Sequence, residues 1–256
     1  HFYIAPKVWA WNKGRVSELK KWIDHLYVIF PFELTLFREA GIPTEYVGNP
    51  LQDAISAFKS NDDFSLKDQK YIALLAGSRK QEIRTMLPIM LEMTNYFPQY
   101  QFIVAGAPSQ NESFYRSVAQ QQSMTVLFGQ TSEILRHAAA GLITSGTATL
   151  EAGIYKVPQV VCYKGSSISY AIAKQLVKIK YISLVNLILD RPAVTELIQH
   201  DLNNTKLKAE LDSLLNEESR RAKIQQDYLE LHDSLGGSGA SERTAIAMLK
   251  ILESGK

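Results

Sequence analysis

The sequence holds a single cysteine, Cys162, which excludes an internal disulfide framework and any zinc site built on cysteine pairs. Its setting, the apolar run QVVCY, reads as a small buried hydrophobe rather than a reactive thiol. Net charge is also scarce: 28 Lys and Arg against 26 Asp and Glu leave +2. That balance gives no global pull toward nucleic acid, so any anion must be met by a local cluster. No apolar run approaches the roughly 18 residues that a membrane-spanning helix needs, so attachment to a membrane would be peripheral. The five histidines, His1, His25, His137, His200 and His232, show no ligand spacing, and no metal centre is expected. Walker-type, nucleophile-elbow and Gly-x-Gly-x-x-Gly turns are missing too. What remains is an ordinary globular composition, 46% hydrophobic and 21% charged over 256 residues, enough for one large core or two modest ones.

The first residues, HFYIAPKVWAW, lack an initiating Met and a basic leader and read as a buried strand entering a loop, so the chain is expected to start within a fold. Trp9 and Trp11, with Trp22 nearby, would line an apolar pocket or plug an interdomain core. A helix from Arg15 to Trp22, the strand HLYVIF, the helix PFELTLFREAG and a bridging EYVGNPL follow. From Tyr71 the pattern becomes regular. YIALLAGS, QFIVAG, MTVLFG, GLITS and PQVVCYKG are short continuous apolar runs, as expected for parallel strands buried on both faces. Helical stretches separate them, the first carrying Ile83, Leu87, Met90 and Leu91 at helical spacing with Pro88 as a candidate kink. Strands alternating with helices predict a doubly wound α/β domain, which binds ligands at the carboxyl ends of its strands. Beyond Asn203 the chain is polar and helical, with Gly236, Gly237 and Gly239 as a flexible joint. The expected organisation is 1–48 as the end of one α/β unit with its linker, 49–203 as the ligand-binding domain, and 204–256 as terminal helices, with a return to the first unit or a reach to a partner chain both open.

Three segments carry chemistry. In ITSGTATLEAG a strand delivers Ser145, Gly146 and Thr147 to a helix start, where free N–H groups and the helix dipole favour an anion and Gly146 allows close approach. Glu151, one turn on, would accept hydrogen bonds from a ribose diol; plain helix capping explains the same residues. In LLAGSRKQEIR, Gly77 and Ser78 end a strand and Arg79 opens a helix, a position where a cation opposes the dipole unless it serves phosphate oxygens. Gly106 ends the neighbouring strand. The third segment, YKGSSISYAIAKQLVKIKYISLVNLI, mixes Lys164, Lys174, Lys178 and Lys180 with apolar residues at helical spacing. It reads either as a core helix or as a basic face for an anionic membrane or phosphorylated substrate. Asn186 would meet a ligand or satisfy a local turn.

Taken in order, IAPKVWAWNKGR, VIFPFE, YVGNPL, LLAGSRKQEI, TSGTATLEAG, the VP to VVCYKG strand and AKQLVKIKYISLVNLI resemble the lipid-A-disaccharide synthase family, across nearly the whole chain. The resemblance implies a two-domain GT-B fold with a Rossmann-like donor domain. It implies an inverting transfer of 2,3-diacylglucosamine from UDP to 2,3-diacylglucosamine 1-phosphate, without cofactor or metal, on the cytoplasmic face of the inner membrane of a Gram-negative bacterium. An anionic membrane surface is an expected partner, nucleic acid is not, and the oligomeric state is open, a homodimer included. Carried onto this sequence, Gly77, Ser78 and Arg79 meet the diphosphate, Ser145, Gly146, Thr147, Ala148 and Thr149 cradle it, and Glu151 holds the ribose. Tyr163 and Asn186 lie near the nucleotide or sugar, and Lys174, Lys178 and Lys180 face membrane or acyl chains. The general base is expected outside this chain, in a preceding segment. Two departures stand out: Gly48-Asn49-Pro50 where the family commonly has Gly-His-Pro, and Leu75-Ala76-Gly77-Ser78-Arg79 where it has Leu-Pro-Gly-Ser-Arg. Other readings are another GT-B UDP-sugar enzyme, such as a peptidoglycan-precursor transferase or a UDP-sugar 2-epimerase, or a donor-binding module inactive alone.

Overall fold

The structure is a computed structural model that describes residues 1–7, 14–61, 63–120, 122, 124–165 and 180–254. Its packing divides the chain into two compact units. Among the described residues, the first takes 1–58, 180 and 230–254, and the second takes 59–165 and 181–229.

The first unit holds a three-stranded parallel sheet in the order β1-β2-β3, from Phe2–Tyr3, Leu26–Val28 and Thr44–Tyr46. Helices α1 (Gly14–Trp22), α2 (Pro31–Glu39) and α3 (Pro50–Ala57) connect and follow these strands. Strand alternation separates two small cores: Leu26 and Val28 pack with Val16, Ile23, Phe37 and Ile42, whereas Tyr27 joins Val47 and Ala247. Ala247 belongs to the last helix, α11 (Ala240–Glu253), so the chain's end closes the face opposite α2. β1 is shorter and more open than the buried strand its sequence suggests, with Phe2 39% exposed, because it lies at a sheet edge. The bridging segment also contains a strand, β3. Trp22 is 81% exposed and plugs no core; Trp9 and Trp11 lie outside the described residues.

Asn49, in the Gly48-Asn49-Pro50 turn, has a structural task of its own. It is buried and caps α3, accepting from Leu51 N–H (3.0 Å) and donating to the Ile29 carbonyl (3.2 Å), with Pro50 following at the first helical position. The Gly236 to Gly239 turn is held at its far end. The Asp53 carboxylate caps α11 by accepting from the N–H groups of Gly239, Ala240 and Ser241, and Arg243 donates to the Val47 carbonyl (2.8 Å).

The second unit contains a six-stranded parallel sheet: β4 (Tyr71–Leu75), β5 (Gln101–Gly106), β6 (Thr125–Phe128), β7 (Ala140–Thr144), β8 (Gln159–Tyr163) and β9 (Thr195–Ile198). Helices α4 (Lys80–Leu91), α5 (Glu112–Ala119), α6 (Thr131–His137), α7 (Thr147–Ile154), α8 (Leu184–Leu189), α9 (Asn204–Asn216) and α10 (Glu218–Ser234) surround it, and α10 runs on into the first unit. Tyr71, Ala73, Leu75, Ile103 and Ile143 face α6 and α7 through Ile134, Leu135 and Ala152. Their alternates Ile72, Leu74, Val104 and Leu142 are equally buried, and α9 packs along β7, β8 and β9. Double burial explains the unbroken apolar runs of β4, β5, β7 and β8, whereas β6, expected to be buried on both faces, lies at the sheet edge and is only partly covered. α4 continues through Pro88 and ends in a 3-10 turn, Glu92–Asn95.

Strand order is β6-β5-β4-β7-β8-β9, the 3-2-1-4-5-6 order of doubly wound nucleotide-binding sheets. The order reverses between β4 and β7. Their paired residues Leu75 and Ile143 therefore flank the crevice where such sheets receive ligands.

Candidate functional site

Both glycine-containing turns singled out in the sequence emerge at this crevice, each two residues beyond the Leu75 and Ile143 pair. After β4, Gly77 turns at φ +108, and a Cβ there would meet Glu82 Cβ and Oε2 at 2.7 Å. Glu82, at the third position of α4, accepts from the N–H groups of Ser78 (3.1 Å) and Arg79 (3.2 Å), the acid's half of a capping box, since Arg79 has no acceptor to complete it. Arg79 Nη1 donates to Glu82 Oε1 at 2.7 Å, while the arginine side chain stays 80% exposed. Burial works to raise the Glu82 pKa, and its bonds to Arg79 and Ser78 outweigh that, so the carboxyl lies below its ordinary value. Ser109, beyond β5, donates to the Ser78 carbonyl at 3.3 Å and ties the turn to the next strand.

After β7 the arrangement is the opposite. Gly146 has φ +153 and ψ −162, a region essentially reserved for glycine, and a Cβ there would meet nothing within 4 Å. It caps α7 without a side-chain acceptor, and the first turn of α7 carries no acidic residue. Gly146 and Thr147 are exposed, so the leading N–H groups of α7 face outward with the positive end of the helix dipole behind them. The hydroxyls beside them hold the loop in place. Ser145 Oγ donates to the Ile182 carbonyl (2.9 Å), and fully buried Thr149 donates to the Gly146 carbonyl (2.8 Å) while accepting from Leu184 N–H (3.3 Å). Thr149 thus serves the cradle from beneath, whereas Gly146, Thr147 and Ala148 form its rim. Glu151 stands one turn down the same helix, half-buried, and burial pushes its pKa above the usual carboxylate value. Helical side chains lean toward the N-terminus, which directs this carboxylate toward the rim.

Two anion-suited turns and a carboxylate at the switch point of a parallel sheet make a candidate anion site of a general kind, and the comparisons with known proteins give the chain's family. A family profile described as lipid-A-disaccharide synthetase matches residues 1–251. The chain belongs to this family. The lipid-A-disaccharide synthase of Syntrophus aciditrophicus is 36% identical over 264 residues, covering 98% of this chain and 69% of the relative. That of Myxococcus xanthus is 33% identical, covering 100% and 70%. Among solved structures, UDP-GlcNAc 2-epimerase from Neisseria meningitidis bound to UDP-GlcNAc superposes with a TM-score of 0.56 at 13% identity, over 89% of this chain and 61% of that one. The calicheamicin glycosyltransferase CalG4 gives 0.54 at 15%, over 89% and 52%. At such identities the structural likeness speaks for the fold alone, which is of GT-B type. The chain spans about 69% of the first of these synthases and 61% or less of these two solved chains.

In this member of the synthase family the remaining candidate residues divide by position. Tyr163, the last residue of β8, is 37% exposed at the same sheet edge as Ser145. Gly106 ends β5, one strand outward, and its missing Cβ makes room for the Phe128 ring, which a Cβ would meet at 2.5 Å. Asn186 is buried and bonded within the protein: Nδ2 donates to the Val194 carbonyl and to Glu196, and Oδ1 accepts from Val194 N–H, each at 2.9 Å. These bonds tie the start of α8 to the segment that enters β9. Lys180 is exposed, and Lys174 and Lys178 lie outside the described residues. Cys162 is buried with its thiol pushed up to about 12, so it carries no thiolate. Among the described residues no group of three or more His, Cys, Asp or Glu is placed to hold a metal ion.

Three contributors escaped sequence reasoning. Glu82 was legible, since an acid three residues after a helix cap is a known signature. Ser183 and Glu196 were not: Glu196 accepts from the N–H groups of Ile182 (3.0 Å) and Ser183 (2.9 Å), fixing the segment on which Ser145 and Thr149 rest. That support is a tertiary contact with no local pattern.

Proposed function

We propose that this chain carries the donor side of a lipid-A-disaccharide synthase. Such an enzyme moves 2,3-diacylglucosamine from UDP to the 6-hydroxyl of 2,3-diacylglucosamine 1-phosphate, with inversion, forming the lipid A disaccharide and releasing UDP. The observation that carries the reading is the pairing of the Gly77–Arg79 and Ser145–Thr147 turns across the β4–β7 switch point in a chain of this family. As the bond from the sugar C1 to the phosphate oxygen breaks, charge grows on the leaving diphosphate. The outward N–H groups at the start of α7 and the Arg79 guanidinium stabilise that charge, more strongly in the transition state than before it. Glu151 accepts from the ribose diol, Tyr163 borders the uracil or sugar, Ser78 lines the Arg79 turn, and Gly106 shapes the neighbouring strand end. The residue that takes the acceptor's proton is assigned to no position in this chain.

Residues 1–48 belong in this reading to the acceptor side, 49–203 to the donor domain, and 204–256 return toward the acceptor side; the core shared by Tyr27, Val47 and Ala247 supports the return. The enzyme would work peripherally at the cytoplasmic face of the inner membrane, where its acylated substrates reside, with Lys174, Lys178 and Lys180 toward anionic lipid. Liposome binding indifferent to anionic lipid and to those lysines would remove that part.

Thermal unfolding with and without UDP tests the donor site. Bound ligand stabilises by RT ln(1 + [L]/Kd), so UDP at 100 times Kd adds about 2.7 kcal/mol. Arg79→Ala, weakening UDP tenfold or more, should remove about 1.4 kcal/mol of it, or roughly 3–6 °C of the shift. Equal UDP shifts in the two proteins would count against the assignment.

A further inference from the structure

The Glu82 carboxylate meets three donors of the first turn at once: Ser78 N–H at 3.1 Å, Arg79 N–H at 3.2 Å and Arg79 Nη1 at 2.7 Å. These are the groups through which that turn would meet a phosphate, because backbone N–H groups at a helix start and an arginine fork both select oxyanions. Gly77 permits the arrangement, since a Cβ there would sit 2.7 Å from the same carboxylate oxygen. The turn thus carries an anion of its own, whereas α7, across the switch point, has neither a side-chain cap nor an acid in its first turn. A purely structural capping box would explain the two backbone bonds. It does not require the third, in which the same side chain also engages the guanidinium.

We propose that Glu82 competes with the donor's diphosphate for Ser78 N–H, Arg79 N–H and the Arg79 guanidinium, and so sets how tightly the site holds UDP. The inference rests on the donor-site reading above and makes Glu82 a positioning residue that acts through Arg79. Two phosphoryl groups carry more charge than one carboxylate, so the diphosphate wins the exchange while the ion pair opens. On departure of UDP the carboxylate takes Arg79 back, which shortens the product's stay. Arg79 is mostly exposed and Glu82 about one-third exposed, so solvent screens the pair and the effect is modest.

Calorimetric titration of UDP into wild type, Glu82→Gln, Arg79→Ala and the double variant, with an unfolding temperature for each, tests the idea. Glutamine keeps an acceptor oxygen for the backbone but loses the charge. Glu82→Gln should bind UDP about two- to five-fold more tightly, the range of an exposed ion pair, with an unchanged or lower unfolding temperature. The gain should vanish in the Arg79→Ala background, where no guanidinium is left to contest. A capping role alone moves stability and affinity down together. Should Glu82→Gln fail to fold, Glu82→Asp, one methylene too short to reach all three donors, should also bind more tightly than wild type. Equal or weaker UDP binding in the folded Glu82 variant overturns the competition. Unchanged binding in Arg79→Ala overturns the donor-site reading itself.

Discussion

Replacing Gly146 by alanine isolates the backbone's share of the proposed donor site. The residue sits at φ +153 and ψ −162, and an added Cβ would meet nothing within 4 Å. No packing clash contributes, so the whole penalty is conformational, about 1–3 kcal/mol for an L-residue held in that region. The protein can absorb it in two ways. If the turn keeps its shape, the unfolding temperature falls by about 2–4 °C per kcal/mol for a domain of this size. If the turn relaxes instead, the N–H groups of Thr147 and Ala148 swing away from the ligand, and each 1.4 kcal/mol of lost interaction weakens UDP about tenfold. Differential scanning calorimetry with UDP titration separates the two routes. Gly129→Ala is the control: Gly129 has φ +70, is equally unobstructed, and follows β6, two strands outward from β4. It should cost about 1–2 kcal/mol of stability and leave UDP affinity alone. A Gly146→Ala protein that matches wild type in both stability and UDP affinity refutes the reasoning, as does a Gly129→Ala protein that loses UDP equally.

Glu151→Gln should trade stability for binding. Burial raises the folded-state pKa, so the stability linked to this group is present below the unfolded value and lost as pH rises through the raised folded one. The variant should therefore unfold at an equal or higher temperature than wild type at pH 7, with the difference closing in acid. Losing a charged acceptor for the ribose should weaken UDP by about 10- to 100-fold, readable by calorimetry. Asp53→Ala tests the clamp on α11 in the first unit: loss of the helix cap should cost about 1 kcal/mol. Burial pushes the Asp53 pKa up, but backbone bonds from Ser241, Gly239 and Ala240 outweigh it and depress the value. The benefit is thus present above the unfolded pKa and disappears as pH falls through the depressed one, so thermal unfolding of the two proteins should converge only below about pH 4.

The second unit was readable because of how it buries its strands. YIALL and QVVCY are apolar without a break since helices cover both faces of the sheet, and the helix starts after β4 and β7 carry their glycines where the turns require them. β9 was unreadable for the converse reason: TELI lies at the sheet edge, half-covered and partly polar. The three-residue β3, with the sequence TEY, is equally short of signal. Within the site, Arg79, Gly146 and Glu151 could be nominated from local chemistry. The commitment of Asn186 to Val194 and Glu196, and of Thr149 to Leu184, could not, because a side-chain amide or hydroxyl shows its partner only when distant chain segments meet. The contact of Asp53 with Gly239, Ala240 and Ser241, nearly two hundred residues later, was equally beyond local reading.

The strand order also has a kinetic meaning. β4 and β7 are neighbours in the sheet, yet about seventy residues of chain separate Ile72 from its partner Ala140. The crevice therefore comes into being only when the central, least local pairing of the sheet closes, a step whose loop entropy slows it relative to the pairing of β4 with β5. Nucleotide binding becomes a reporter of that closure. During refolding, recovery of a UDP signal should trail recovery of secondary structure, because helices and the β4–β5 pair can form while the two turns that make the site are still apart.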